Sequence, residues 1–152
     1  MTDIDSIAND FELLSDWDQR YEYLIELGEQ MPFMPESEMT EDNRVFPCMS
    51  KVWVHAYRKP DNPNLIYFHG DCDTAIIKGV VALLVQLFSG KTAKQIIDMD
   101  VDKLFERIQL AENLSPNRHV GIYAIVEVMK SQVKALSSSG IGLKEEAKVQ
   151  SQ

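Results

Sequence analysis

The sequence predicts an α+β domain, with helices at both ends and a short antiparallel sheet between them. Three observations carry this. Apolar residues recur at helical spacing near both ends of the chain, two β-rich runs lie before the midpoint with turn residues between them, and a nearly all-apolar helical stretch follows the second run. With 152 residues, 45% of them hydrophobic, the chain can bury one core of ordinary size, so a single domain is expected.

Ile4, Ile7, Ala8, Phe11 and Leu14 mark the first helix, and Trp17, Tyr21, Leu24 and Leu27 mark a second after the capping pair Ser15-Asp16. These two are expected to pack together. Met31-Pro32-Phe33-Met34-Pro35 ends the pattern, because proline lacks a donor and biases its predecessor away from helix, so an extended crossing segment follows. Val52 to Tyr57 and Leu65 to His69 read as strands of a hairpin joined by the turn-rich stretch from Arg58 to Asn64. The segment around Val45 leaves room for a third strand.

Asp73 or Thr74 can cap the next helix, in which Ile76, Ile77, Val80, Val81, Leu83, Leu84, Leu87 and Phe88 leave little polar face. That helix belongs at the centre. Thr92 and Gln95 have capping-box spacing for a short helix, and Asp100 starts another that carries Leu104, Phe105 and Ile108. Ser115-Pro116 opens a long helix with Ile122, Ile125, Val126, Met129, Val133 and Leu136 on its buried stripe. The domain is expected over residues 1–136, and Ser137-Ser138-Ser139-Gly140 with its polar sequel reads as a flexible tail over 137–152.

Charge and cysteine content exclude several functions. Residues 1–43 hold 13 acidic residues against Arg20 alone, within a net charge of −9. Such a surface repels phosphate backbones, which argues against nucleic acid, and the acidic run itself reads as solvated helical faces. Two cysteines make no disulfide framework and lack the closely spaced further ligands of a structural zinc site. The acidic N-terminus resembles neither a signal nor a transit peptide, and Val80 to Phe88 is too short to cross a bilayer. A reducing, cytoplasmic setting with no membrane contact is expected.

Cys48 is the chemically informative residue, since it sits in a loop at the mouth of the first strand, where a thiol can be presented to a partner. The competing reading is a small buried hydrophobe. Pairing Arg58 with Leu65 would set Lys51 opposite Cys72 and leave the two cysteines three residues out of register, or roughly 10 Å apart, too far for a disulfide. Cys48 also approaches the helix start near Asp73, whose free N–H groups favour a thiolate, while Asp71 and Asp73 oppose it. Val45, Phe46, Pro47 and Met49 give the thiol an apolar surround, which predicts that it folds inward at rest with a raised pKa. Arg118, in the first turn of its helix, calls for a carboxylate or thiolate neighbour or a structural ion pair. His55, His69 and His119 read as structural.

Three motifs in order now have a family likeness: Arg44-Val45-x-x-Cys48-x-Ser50-x-Val52-Trp53, then Gly70-Asp71-Cys72-Asp73-Thr74-Ala75-Ile76-Ile77-Lys78-Gly79, then Leu114-Ser115-Pro116-Asn117-Arg118-x-x-Gly121. Together with Trp17-Asp18-Gln19-Arg20-Tyr21 and Ile25-Glu26-Leu27-Gly28, they resemble the SufE family over roughly residues 8–136. The resemblance implies a SufE/IscU-like fold with a curved antiparallel sheet. It also implies a sulfur carrier for iron-sulfur cluster assembly, which accepts persulfide sulfur on Cys48 from a SufS-type cysteine desulfurase, stimulates that enzyme and supplies a downstream scaffold. No resident cofactor or metal and no independent catalysis are implied. Lys51, Lys78, Arg118 and Asp73 are the residues expected to dock the partner, and Cys72 is a second thiol. The chain departs from the family pattern in having Pro47 and Met49 where glycine and often glutamine flank the acceptor, and Cys72 where serine is common. Two other functions stay open: a metal or cluster scaffold using Cys48, Cys72, a histidine and an aspartate, and a cysteine hydrolase with a histidine base.

Overall fold

The computed structural model describes residues 3–148, with side chains through residue 137. Its order is α1 (Ile4–Glu12), α2 (Trp17–Gln30), β1 (Val52–Lys59), β2 (Asn62–Cys72), α3 (Ala75–Phe88), α4 (Ala93–Asp98), α5 (Val101–Arg107) and α6 (Pro116–Lys148). The α+β class is as expected. Asp16 caps α2 through the Gln19 amide, Thr92 and Gln95 close a capping box on α4, and Asp100 caps α5 through the Lys103 amide. The Ser115 hydroxyl accepts from the Arg118 amide at the head of α6.

The sheet has two antiparallel strands. The expected third strand is reduced to a single bridge between Arg44 and Trp53, because Pro47 cannot donate to a ladder and the chain turns away there. Register also differs from expectation by one residue: Arg58 faces Ile66, and Val52 rather than Lys51 faces Cys72. Burial explains the shift. Val52, Val54 and Ala56 are buried, as are Ile66, Phe68, Gly70 and Cys72, and this pairing puts both sets on one face, which a one-residue slip would undo. An irregularity between Arg58 and Lys59 absorbs the offset, so the turn shrinks to Pro60 and Asp61.

Helix α3 is the centre, as its composition predicts, lying against α2, β2 and α6. At the α2 crossing a Cβ on Gly79 would overlap the Leu24 carbonyl oxygen, so only glycine allows the approach. Helices α1 and α2 do meet where Phe11 sets its ring edge-to-face on Tyr23 at 5.4 Å. Their main partners are nevertheless α5 and α3 respectively. Arg107 explains the first of these, reaching Asp5 at 2.8 Å and Glu12 at 3.3 Å to tie α1 onto α5.

Where a tail was expected from residue 137, α6 continues as helix to Lys148. No proline interrupts it, Leu143 to Lys148 are mostly good helix formers, and each added residue extends an existing nucleus at the gain of one hydrogen bond. Residues 149–152 of that expected tail lie outside the described residues. No helix among the described residues is long and apolar enough to cross a membrane.

Candidate functional site

The loop that carries Cys48 is pinned at its base. The Val45 amide donates to the Val52 carbonyl at 2.9 Å, and the Cys48 amide donates to the Val45 carbonyl at 3.3 Å, so the chain turns tightly through Phe46-Pro47. Across β1, the Asp73 amide donates to the Lys51 carbonyl at 3.1 Å while the Asp73 carboxylate accepts from the Lys51 amide at 3.0 Å. This extends the hairpin ladder past its last strand pair and brings the start of α3 beside the loop. Ser50 and Thr74 hydroxyls share a 2.5 Å hydrogen bond that fastens the same junction.

Beneath this junction is a cavity of about 400 Å³ lined by Cys48, Met49, Ser50, Asp73, Thr74, Ile77, Ser115, Asn117, Arg118 and Gly121. It joins the three parts of the chain that carried the sequence motifs. Cys48 is only 9% exposed, and its thiol donates to the Gly121 carbonyl at 3.4 Å. Burial, followed by the nearby Cys72, pushes the Cys48 thiol up to about 11. The balance that the sequence left open between the helix start and the flanking aspartates is therefore set by desolvation, against the thiolate. Flanking apolar groups divide: Val45 is buried, whereas Phe46 is 60% and Met49 80% exposed. The inward thiol thus sits between two outward apolar side chains, and Arg44 lies over the Phe46 ring at 5.4 Å.

Of the residues expected around the thiol, Asp73 and Arg118 line the cavity with Cys48. Arg118 is exposed and, among the described residues, has no ion-pair partner, so the structural ion pair considered for it is not formed. Lys51 is exposed beside the cavity rather than in its wall, and Lys78 is directed to Asp71 at 3.4 Å. Cys72 lies behind the wall, buried, where its sulfur accepts from the Thr74 amide at 3.4 Å. It acts as serine does in a local turn, a physical basis for the exchange of the two at this position. Burial is also the largest influence raising the Cys72 pKa.

Gly121, Asn117 and the Ser50–Thr74 contact were not singled out from the sequence for a role in the site, although each falls inside a quoted motif. Regular spacing within the motifs was the available signal, but only the fold shows that the three motifs share one wall. The histidines stand elsewhere. His69 meets Glu38 at 2.8 Å, His55 stacks near Tyr57, and His119 lies against Tyr123.

Comparison with known proteins gives the family and the fold. The domain family described as "SufE: Fe-S metabolism associated domain" matches residues 5–133. The chain belongs to the SufE family. An uncharacterized SufE-like protein of Rhizobium etli is 38% identical over 141 residues, covering 91% of this chain and 95% of the relative. A second SufE-like protein, from Rhizobium meliloti, is 40% identical over 136 residues, covering 88% of this chain and 96% of the relative. The solution structure of a hypothetical protein from Thermus thermophilus shares the fold, with a TM-score of 0.73 at 19% identity over 89% of this chain and 96% of that one. Membership of the SufE family gives this chain a role in iron-sulfur metabolism.

Proposed function

We propose that this SufE-family protein takes sulfane sulfur onto Cys48 from a cysteine desulfurase, stimulates that enzyme and passes the sulfur to an iron-sulfur scaffold. The observation that carries this reading is one shielded thiol beside an outward apolar and cationic rim, made by Phe46, Met49 and the exposed Arg118. That arrangement suits a carrier, which must offer its nucleophile to one partner and withhold it from others.

The chemistry is a displacement. The partner's cysteine carries a persulfide, and the Cys48 thiolate attacks its outer sulfur. A sulfur–sulfur bond forms on Cys48 as the partner's own sulfur–sulfur bond breaks, and the partner cysteine leaves as thiolate. One persulfide replaces another, so no external oxidant or reductant is needed. A second transfer of the same kind delivers the sulfur onward.

Because the resting thiol is buried and proton-bearing, the loop must open as the partner docks, a case of a ligand selecting a less populated conformation. Docking supplies the difference through apolar contact at Phe46 and Met49, which are already exposed. Arg118 offers a carboxylate-seeking cation at the same cavity, which Asp73 also lines, and Lys51 is exposed in the loop beside it. The hydrolase reading has less support, because no histidine among the described residues lines the cavity. The scaffold reading likewise lacks a group of three or more histidine, cysteine or acidic ligands among the described residues.

Desulfurase turnover on cysteine tests the proposal. Cys72→Ser should stimulate the enzyme as the parent does, and Cys48→Ser should fold and fail. Full stimulation by Cys48→Ser would refute it.

A further inference from the structure

Glycine in a helix interior costs stability relative to alanine, because its backbone has more freedom to lose. Gly121 nevertheless occupies the second turn of α6, and it is buried. A Cβ built on it would stand 3.1 Å from Sγ of Cys48 and 3.8 Å from that residue's Cα and Cβ. The three nearest atoms thus all belong to one residue. The Gly121 carbonyl also accepts the thiol's hydrogen bond at 3.4 Å. Both features of the glycine, its missing side chain and its carbonyl, meet Cys48.

The geometry points to Gly121 as a positioning residue: its bare Cα and its carbonyl form a berth that holds the protonated Cys48 thiol inward and sets how readily the loop opens. The purpose of the berth rests on the sulfur-acceptor reading, whereas the contact itself does not.

A thiol can donate to that carbonyl only while it keeps its proton, and a thiolate would face the carbonyl's lone pairs. Charged and titratable groups around the berth do not reverse this. Asp71 and Cys72 come from β2, Asp73 from the junction before α3, Lys51 from the loop and Arg118 from α6 itself. Of these, Cys72 is the one that acts on the Cys48 thiol, and it too disfavours the charged form. A methyl group at position 121 would press on the end of a flexible side chain in a loop rather than on helix backbone, so the thiol should yield and the helix should stand. Alanine would also strengthen α6 by its own propensity.

The test alkylates Cys48 with N-ethylmaleimide across about pH 6 to 10 in a Cys72→Ser background, comparing the parent with Gly121→Ala and recording circular dichroism and thermal unfolding for each. Gly121→Ala should stay folded, react about tenfold faster near neutral pH and show a lower pH midpoint. The factor follows because lowering a thiol pKa by about two units raises the thiolate fraction roughly a hundredfold, while intrinsic nucleophilicity falls by about tenfold. A folded Gly121→Ala with unchanged rate and midpoint would overturn the proposal. If Gly121→Ala fails to fold, adding Cys48→Ala removes the sulfur from the berth. Recovery of the fold would then support the contact, and failure to recover would overturn it. Sulfur loading of the parent is measured separately, so loss of the acceptor reading would be distinguishable from loss of the berth.

Discussion

On the proposed sulfur-acceptor reading two demands conflict at Cys48, since an acceptor must become a thiolate and an unattended thiol must avoid oxidation. Burial decides the resting state for the second. With its pKa at about 11, above the ordinary thiol value, the group contributes stability that is fully present below about pH 9 and is lost as pH rises through about 11. Removing the thiol should therefore flatten the alkaline limb. Thermal unfolding from about pH 8 to 11 should show Cys48→Ser losing less stability than the parent in a Cys72→Ser background, and parallel curves would contradict the assigned burial. Pro47 acts on the same residue through the backbone. Replacing it with glycine gives the open loop more conformations, worth about 0.4–1 kcal/mol or a two- to fivefold faster maleimide reaction. An unchanged rate would show that Pro47 does not restrain the loop. An inward Cys48 was one of two readings the sequence left open, and of the apolar residues expected to surround it only Val45 is buried, while Phe46 and Met49 turn outward. Hydrophobicity alone does not say which way such side chains turn, because apolar residues are common on protein surfaces as well.

At the scale of elements, the hairpin was legible and its register was not. Alternation in β1 and in β2 can be read separately, yet the irregularity beside Lys59 decides which residues face each other, and nothing in the turn composition gives its position. The outer edge of β1 was equally hidden. Gln132 of α6 accepts from the Ala56 amide at 2.9 Å and donates to the Val54 carbonyl at 2.8 Å, so one side-chain amide stands in for a missing strand. From sequence Gln132 is merely a polar position one residue before a buried valine. Gln132→Ala should cost about 1–3 kcal/mol by leaving two half-buried backbone groups unsatisfied. Urea unfolding measures this, and a loss within error of zero would mean that water replaces the amide.

For the molecule as a whole, acidic residues crowd the first third, while Arg118 lines the cavity and Lys51 is exposed in the loop beside it. Rim charges mostly set association rate and salt dependence. Arg118→Ala should accordingly weaken stimulation of the desulfurase several-fold at low salt and less at high salt, while small-reagent alkylation of Cys48 stays as in the parent. Loss of both together would place Arg118 in control of the thiol or of folding. The sequence already brought residue 48 near residue 73, but it did not convey that Asn117 and Gly121, far along the chain, line the same cavity. Motif order suggested the family, and only packing of α6 on β1 and α3 brings the motifs to one place.

Mass spectrometry of the protein after incubation with a cysteine desulfurase and cysteine tests the central claim most directly. Cys72→Ser should gain about 32 Da per transferred sulfur, with the added mass on the peptide containing Cys48, and Cys48→Ser should gain none. Sulfur found on Cys72 in the Cys48→Ser protein, at the level of the parent, would contradict the account.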